Sequence, residues 1–390
     1  MHESGTHLFP AMDRVIFGKP AAQALVSEVD RLGSRRVFII ASGTLDRTTD
    51  EIEKLRTALG DRFAGHTAGP AQHTSRRDVV AITHAALDAN ADLLVTIGGG
   101  SAIDAGKIVT LCMQHRILDA AGLDGFEVSF NSKGMPTVPS FEGPTVRMIG
   151  IPTTLSGGEY NAGCLVTDTN RELKQTFFHT GLMPVAIILD PSLTRHAPEH
   201  LYLGSGTRAM DHAIEALCSA RGNPLVDAAV LRGLELMTQW LPRSHADRGD
   251  QNAAAQCQIA SWLCSFGLQA RVPMGASHAI GHVLGGTCHV PHYLCTPVMM
   301  PAILEFNEPV TVEAQQRLAA VLGQPGGSAS AAFRAFCESL KLPTHLHEVN
   351  VTPDSFPLIA KNAMTEFFTY SNPRRLSKPE DVIEILKLAA

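Results

Sequence analysis

The chain contains no apolar run near the ~20 residues that a membrane-crossing helix needs; Val185 to Leu189 is strand-sized. It also lacks any run of Lys and Arg long enough to neutralise several phosphates in a row, and its formal charge of −6 gives no electrostatic reason to bind nucleic acid. The opening segment MHESGTHLFPAMDR has no basic start followed by an apolar stretch, so it does not read as a secretory signal, and a cytoplasmic protein is expected. None of the eight cysteines forms a CxxC pair. Most, such as Cys112, Cys257 and Cys337, lie among apolar neighbours and are expected to be buried reduced thiols. Charged residues make up only 18% of the chain against 45% apolar, which excludes a disordered polyelectrolyte. Internal repeats and low-complexity tracts are absent too.

What is present is enough apolar material, over 390 residues, for two packed lobes. The first half alternates short β-rich runs with amphipathic stretches. Arg14 to Phe17, Val37 to Ala41, Asp92 to Ile97, Met148 to Ile151 and Val185 to Leu189 read as strands. Between them lie helical patterns: one opened by Lys19-Pro20 and closed by Gly33, one near Asp50 to Ala58, and one from Asp78 to Asp88. This order predicts a doubly wound, mostly parallel sheet. Asp119 to Val146 is richer in Gly, Pro, Ser and Asn and reads as an ordered excursion. From Ser192 onward the period is helical: Met210 to Ala220, Leu225 to Leu241, Ala253 to Leu268, Val312 to Leu322 and Ala331 to Leu340. The expected domains are therefore an α/β domain, 1–191, and an all-α domain, 192–390.

A strand ending in Gly98-Gly99-Gly100-Ser101 and followed by a helix from Ala102 to Leu111 is a phosphate cradle in outline. Glycines admit a pyrophosphate to the backbone N–H groups at a helix start, where the dipole favours negative charge. Ser101 is expected to cap that helix and reach a phosphate oxygen. Asp104 and Lys107, one turn apart, can pair or touch ribose and nicotinamide. An ordinary tight turn with a surface ion pair would look the same. A second segment, Ile151 to Glu159, carries hydroxyls at Thr153, Thr154 and Ser156 directly after another strand, which puts them at the same sheet edge.

The helical half holds Ser277-His278-Ala279-Ile280-Gly281-His282, with imidazoles at i and i+4 on one helix face. His292 follows Pro291, and His212 lies on an earlier helix. A lone histidine is usually a satisfied core group; four together point to metal binding or proton transfer.

GGGSAIDAGK, IPTTLSGGE, DHAIEAL, GASHAIGHVLGG…VPH and SNPRRL, in that order over nearly the whole chain, resemble the iron-containing alcohol dehydrogenase superfamily. The resemblance implies a dinucleotide domain and an all-helical domain, with substrate and metal between them. It implies that Gly98, Gly99 and Ser101 hold the pyrophosphate of NAD or NADP. Asp104, Lys107, Thr153, Thr154 and Ser156 would contact ribose and nicotinamide, with Lys174 assisting. Many relatives end an early strand with an Asp that repels the extra phosphate of NADP; Ser42 stands here, which implies use of either cofactor. The family metal, iron or zinc, is bound by one Asp and three His. The histidine positions match His212, His278 and His292, and His282 matches a proton-handling histidine.

The Asp position, four before His212, is Arg208. A permanently charged guanidinium repels the cation that a carboxylate would bind, so metal is disfavoured, and Asp211 is expected to pair with Arg208 at i,i+3. Loss of this Asp, with Ser371-Asn372-Pro373-Arg374, resembles the metal-free maleylacetate reductase branch. Departures are Tyr293, where many relatives have Gly, and Arg208, where the branch more often has Asn. The resulting expectation is reduction of a small, anionic, unsaturated or oxo carboxylic acid by NADH or NADPH. Arg208, His212, His278 and His292 would stabilise charge and His282 would relay a proton. The rivals are a metal-dependent dehydrogenase of small alcohols or aldehydes, and a non-catalytic dinucleotide-binding protein. Relatives are often dimers, so a homodimer is expected.

Overall fold

A computed structural model of the chain describes residues 6–70, 74–130, 136–171 and 173–390. The chain divides into two compact units. Pro10–Thr154 and Gly158–Ala197 form the first; Leu155–Gly157 and Pro198–Ala390, with the described residues before Pro10, form the second.

The first unit runs β1 (Arg14–Phe17), α1 (Ala21–Leu32), β2 (Val37–Ala41), α2 (Gly43–Thr48), α3 (Glu51–Leu59), β3 (Phe63–Ala68), α4 (Arg76–Asp88), β4 (Leu93–Gly98) and α5 (Gly100–His115). Then come β5 (Ser129–Phe130), β6 (Pro136–Thr137), β7 (Arg147–Pro152), β8 (Gly163–Asp168), β9 (Leu173–Phe178) and β10 (Ala186–Leu189). Six strands form one parallel sheet in the order β1-β10-β7-β4-β2-β3. The expected doubly wound architecture is what the chain adopts. Its central strands alternate sides: Val37, Ile39, Val95 and Ile149 join Leu25 and Val29 of α1 and Leu55 of α3 in one core. Phe38, Ile40, Leu94 and Met148 join Val79 of α4 and Ile108 of α5 in the other. Burial on both faces is why these strands read as unbroken apolar runs.

Two features were not visible in the apolar pattern. β3 (FAGHTA) pairs with β2 at the sheet edge and is mostly half-buried, so no apolar run was required of it. β8 and β9 form an antiparallel hairpin outside the main sheet. The excursion from Asp119 to Val146 contains a short 3₁₀ turn, Ala121–Leu123, and the two-residue pairing of β5 with β6.

The second unit runs α6 (Glu199–Cys218), α7 (Pro224–Ala246), α8 (Gln251–Cys264), α9 (Phe266–Gln269), α10 (Ala276–Cys288), α11 (His292–Val321), α12 (Ala329–Ser339), α13 (Phe356–Ala363) and α14 (Pro379–Leu388). It has no strand among the described residues. The helix expected from Val312 is the last part of the much longer α11, which contains Pro297, Pro301 and Pro309 and leaves helical geometry at Thr311. Prolines inside a helix remove hydrogen bonds and bend it, which hid its length from the sequence pattern. Ile280 and Leu284 of α10, Val298 and Met299 of α11, Ile359 of α13 and Ile385 of α14 share a core. No helix among the described residues is long and apolar enough to cross a membrane.

Candidate active site

Register places the first set of site residues. Ala41 lies beside Ile97, and Gly98 beside Pro152, so β2, β4 and β7 end level with one another. Ser42, the Gly98-Gly99 turn and Thr153-Thr154 follow directly, and the structure brings them together. Ser42 N–H donates to the Ile97 carbonyl at 2.8 Å, and Thr153 N–H to the Gly98 carbonyl at 2.9 Å. Gly98 has φ +156°, and a β-carbon there would lie 2.9 Å from Ser42 Cβ and 3.0 Å from Ala102 Cβ. A β-carbon on Gly99 would come within 3.3 Å of Thr154 Cγ2. A side chain is thus excluded at Gly98 and crowded at Gly99, where a phosphate needs access to backbone N–H groups. Gly106, two residues beyond Asp104, lets α5 press on Thr96 of β4; its role was not visible in the motif.

One expectation needs correction and a second is narrowed. Ser101 does not cap α5: the helix begins at Gly100, the N-cap is Gly99, and no side chain bonds there. The glycine run itself supplies the N-terminal geometry, which leaves Ser101 inside the first turn. Lys107, expected to pair with Asp104 or to touch ribose and nicotinamide, is wholly enclosed and does the former. Its ammonium donates to the carbonyls of Gly158 (2.7 Å) and Gly163 (2.8 Å), with Asp104 at 3.9 Å. It braces the turn before β8. Asp104 accepts from Leu165 N–H at 3.3 Å; burial raises its pKa against the pull of Lys107 and, from β9, Lys174. Burial also pushes Glu159, another group the motif reading passed over, up to about 7. Ser156 belongs with the second unit.

In that unit the four singled-out histidines form a file over α6, α10 and α11. Ring centroids are 5.0 Å apart for His212 and His278, 6.5 Å for His278 and His282, and 5.8 Å for His282 and His292. Phe368 packs against His278 and His282. His282 Nδ1 lies 3.3 Å from Glu366 Oε2.

Beneath the file lies a buried polar network. Arg208, 5% exposed, donates from Nη1 to Asp211 Oδ2 at 2.9 Å, the expected i,i+3 pair. Ser277 Oγ (2.7 Å) and Thr296 Oγ1 (2.5 Å) donate to the same oxygen. Glu215, unremarked in the sequence, is equally central. It accepts the N–H groups of Gly275 and Ser277, both at 2.8 Å, and His278 Nδ1 at 2.6 Å. A carboxylate is favoured at this position because it meets the N-terminus of α10. Gly275 makes room for it, since a β-carbon there would sit 3.2 Å from Glu215 Oε1.

Burial sets the charge states. It raises the pKa of Glu215 despite its donors. His212 and His278 fall well below the usual imidazole range, first through burial and then through neighbouring positive charge, including Arg208. Both rings are neutral at ordinary pH. With Nδ1 of His278 donating to Glu215, its Nε2 presents a lone pair. That Nε2, His212 Nδ1 and Ser265 Oγ are buried without a hydrogen-bond partner. Gly157, at φ +74°, keeps space beside two of them: a β-carbon would strike Ser265 Oγ and come within 3.4 Å of His212 Nδ1. Orphaned buried atoms of this kind are satisfied by a bound polar ligand.

The fit of a divalent metal can be judged from these contacts. Asp211, Glu215 and His278 offer donor atoms within 4.8 Å of one another. The ligand trio expected if metal were bound, His212, His278 and His292, forms no such group among the described residues. In the acidic group, Asp211 Oδ2 already receives three donors, one a guanidinium, and Glu215 holds two backbone N–H groups and an imidazole. Asp211 Oδ1 and His278 Nε2 have no hydrogen-bond partner, but Glu215 would have to give up its N–H or imidazole bonds, and the cation would lie beside the fixed charge of Arg208, so the residues present do not fit a divalent ion.

A turn that excludes side chains to admit a phosphate, and buried imidazoles with unused nitrogens, are the equipment of a dinucleotide-dependent oxidoreductase, and this is the class the chain falls in. Residues 12–191 match the family described as iron-containing alcohol dehydrogenase, and residues 203–390 match the C-terminal part of the Fe-containing alcohol dehydrogenase family. The chain belongs to the iron-containing alcohol dehydrogenase family, in its maleylacetate reductase-like branch. It is 30% identical over 390 residues to maleylacetate reductase 2 of Cupriavidus pinatubonensis, covering 100% of this chain and 97% of that protein. It is 27% identical to the NAD-dependent methanol dehydrogenase of Bacillus methanolicus, covering 96% of this chain and 97% of that one. The crystal structure of maleylacetate reductase from Agrobacterium tumefaciens superposes with a TM-score of 0.83 at 26% identity, over 100% of this chain and 98% of the other.

Proposed function

We propose that the protein is an NAD(P)H-dependent reductase of maleylacetate or a closely similar unsaturated or oxo dicarboxylic acid, working without a metal ion. The observation that carries this reading is the buried Arg208, paired with Asp211 at 2.9 Å beside the histidine file. The other guanidinium N–H groups have no protein acceptor among the described residues, so they remain for an oxygen of the substrate.

The reduced dinucleotide supplies the hydride. The chain's residues do the rest. Gly98 and Gly99 open backbone N–H groups to the pyrophosphate, and Thr153 and Thr154 stand at the same edge for ribose or carboxamide. Arg208 holds a substrate carboxylate or the oxygen on which negative charge develops, the task a cation performs elsewhere. His278, oriented by Glu215, offers the Nε2 lone pair to an O–H of the bound substrate, and His212 lines the same space. His282, bonded to Glu366, takes the role of proton relay. Low dielectric around the network strengthens each contact.

The donor group Asp211, Glu215 and His278 gives the metal-dependent alcohol dehydrogenase reading its one structural support. Steady-state kinetics separate the two. NAD(P)H oxidation with maleylacetate should exceed that with short aldehydes by at least about 100-fold in kcat/KM, and Arg208→Met should remove the difference. Preference for aldehydes, or for alcohol oxidation, refutes the proposal.

A further inference from the structure

We infer that Arg47 makes this enzyme selective for the phosphorylated dinucleotide, NADP(H), by gripping the phosphate on the adenosine ribose. The inference rests on the dinucleotide site described above and adds a residue that the motifs did not contain. In a doubly wound sheet, the pyrophosphate sits at the glycine turn after one strand, and the adenosine ribose lies at the end of the neighbouring strand. Here the turn follows β4, which lies between β7 and β2; Thr153 and Thr154 after β7 are assigned to the nicotinamide-side ribose or carboxamide, which leaves the end of β2 for the adenosine. Ser42, directly after β2, donates its N–H to Ile97, and its Cβ lies 2.9 Å from where a β-carbon of Gly98 would be. The ribose end of the site is therefore the segment Ser42-Gly43-Thr44.

No acidic side chain stands in that segment to hold a free 2′-hydroxyl or repel a phosphate. A guanidinium stands over it instead. Arg47 is one helical turn beyond Gly43, and its side chain folds back on the glycine. A β-carbon at Gly43 would lie 2.8 Å from Nη1 and 3.5 Å from both Cζ and Nη2. Arg47 is exposed and makes no ion pair or hydrogen bond with the described residues. The adjacent carboxylate, Asp46, is engaged by His66 of β3 at 3.1 Å. A planar fork of N–H donors, free of protein acceptors and laid against a glycine at the ribose end of the cradle, has the geometry and charge for bidentate phosphate recognition.

The test is equilibrium binding to the whole protein without a second substrate, so it does not depend on what the enzyme reduces. NADPH, NADH, 2′,5′-ADP and 5′-ADP are titrated against the parent protein, Arg47→Gln and Gly43→Ala. The parent should bind NADPH and 2′,5′-ADP about tenfold or more tightly than NADH and 5′-ADP. Arg47→Gln should abolish that preference while leaving NADH and 5′-ADP within about twofold. Gly43→Ala, which displaces the guanidinium without removing it, should lose part of the preference. Equal affinities in the parent, or an Arg47→Gln variant that weakens all four probes alike, overturns the inference while leaving the dinucleotide site standing. Failure of every probe to bind removes the site itself.

Discussion

The two units build their sites by opposite means. In the first, the proposed cradle is prepared by what is missing: Gly98 and Gly99 leave the ends of level strands without side chains, so that backbone N–H groups would form the binding surface. In the second, function is prepared by what is crowded in: Arg208, Asp211, Glu215 and two neutral imidazoles share an interior almost without water access. A cradle of backbone tolerates little added bulk but has few charges to lose. A buried network of charges depends on every partner being present.

The sharpest way to break that contrast is to remove one charge from the network. Arg208→Met leaves Asp211 charged and enclosed, and should cost about 3–5 kcal/mol in urea unfolding. A loss under about 1 kcal/mol would mean that the pair holds nothing. The first unit also contains one costly group, Glu159. Burial pushes it up to about 7 from the ordinary 4.5, so the folded chain keeps a proton that the unfolded chain releases. Its stabilising effect is complete below the ordinary value and disappears as pH rises through about 7. Glu159→Gln should therefore gain up to about 3 kcal/mol at pH 8 and nothing at pH 4, read from unfolding curves at both. No gain at pH 8 would show that Glu159 is compensated in a way its surroundings do not reveal.

Gly98→Ala comes next, at about 2 kcal/mol from strain and overlap with Ser42 and Ala102, with dinucleotide affinity down at least about tenfold. An alanine variant that binds NADPH or NADH normally would contradict the cradle as drawn. Ser277→Ala removes one of three donors to Asp211 Oδ2 and should cost only about 1 kcal/mol, since Arg208 and Thr296 remain. The second unit answers pH at both ends. Glu215 is raised, so part of its stability falls as pH climbs; His212 and His278 are depressed, so theirs is complete above the usual imidazole value and is lost as pH falls through the depressed ones.

The same contrast explains which parts were legible beforehand. Level strand ends follow from short apolar runs and glycine turns, all local signals, and the sheet with its turn could be read from them. Arg208 and Asp211 are three apart on one helix, so their pairing was local too. Glu215 was not legible because its partners, Gly275, Ser277 and His278, are 60 or more residues away and touch it only after α6 and α10 pack. β3 escaped because an edge strand needs no continuous apolar sequence, and α11 because its prolines interrupt the periodic pattern. The cap was placed two residues late, at Ser101 instead of Gly99, a distance that decides between a cap and a first-turn position.

The proposed chemistry requires the Arg208 guanidinium to do the work of a cation. Metal content of the purified protein, measured alongside maleylacetate reduction before and after exhaustive chelation, addresses this directly. Substoichiometric iron and zinc with undiminished turnover is the result expected. One tightly held ion per chain, with activity lost on chelation and restored by that ion, would contradict it.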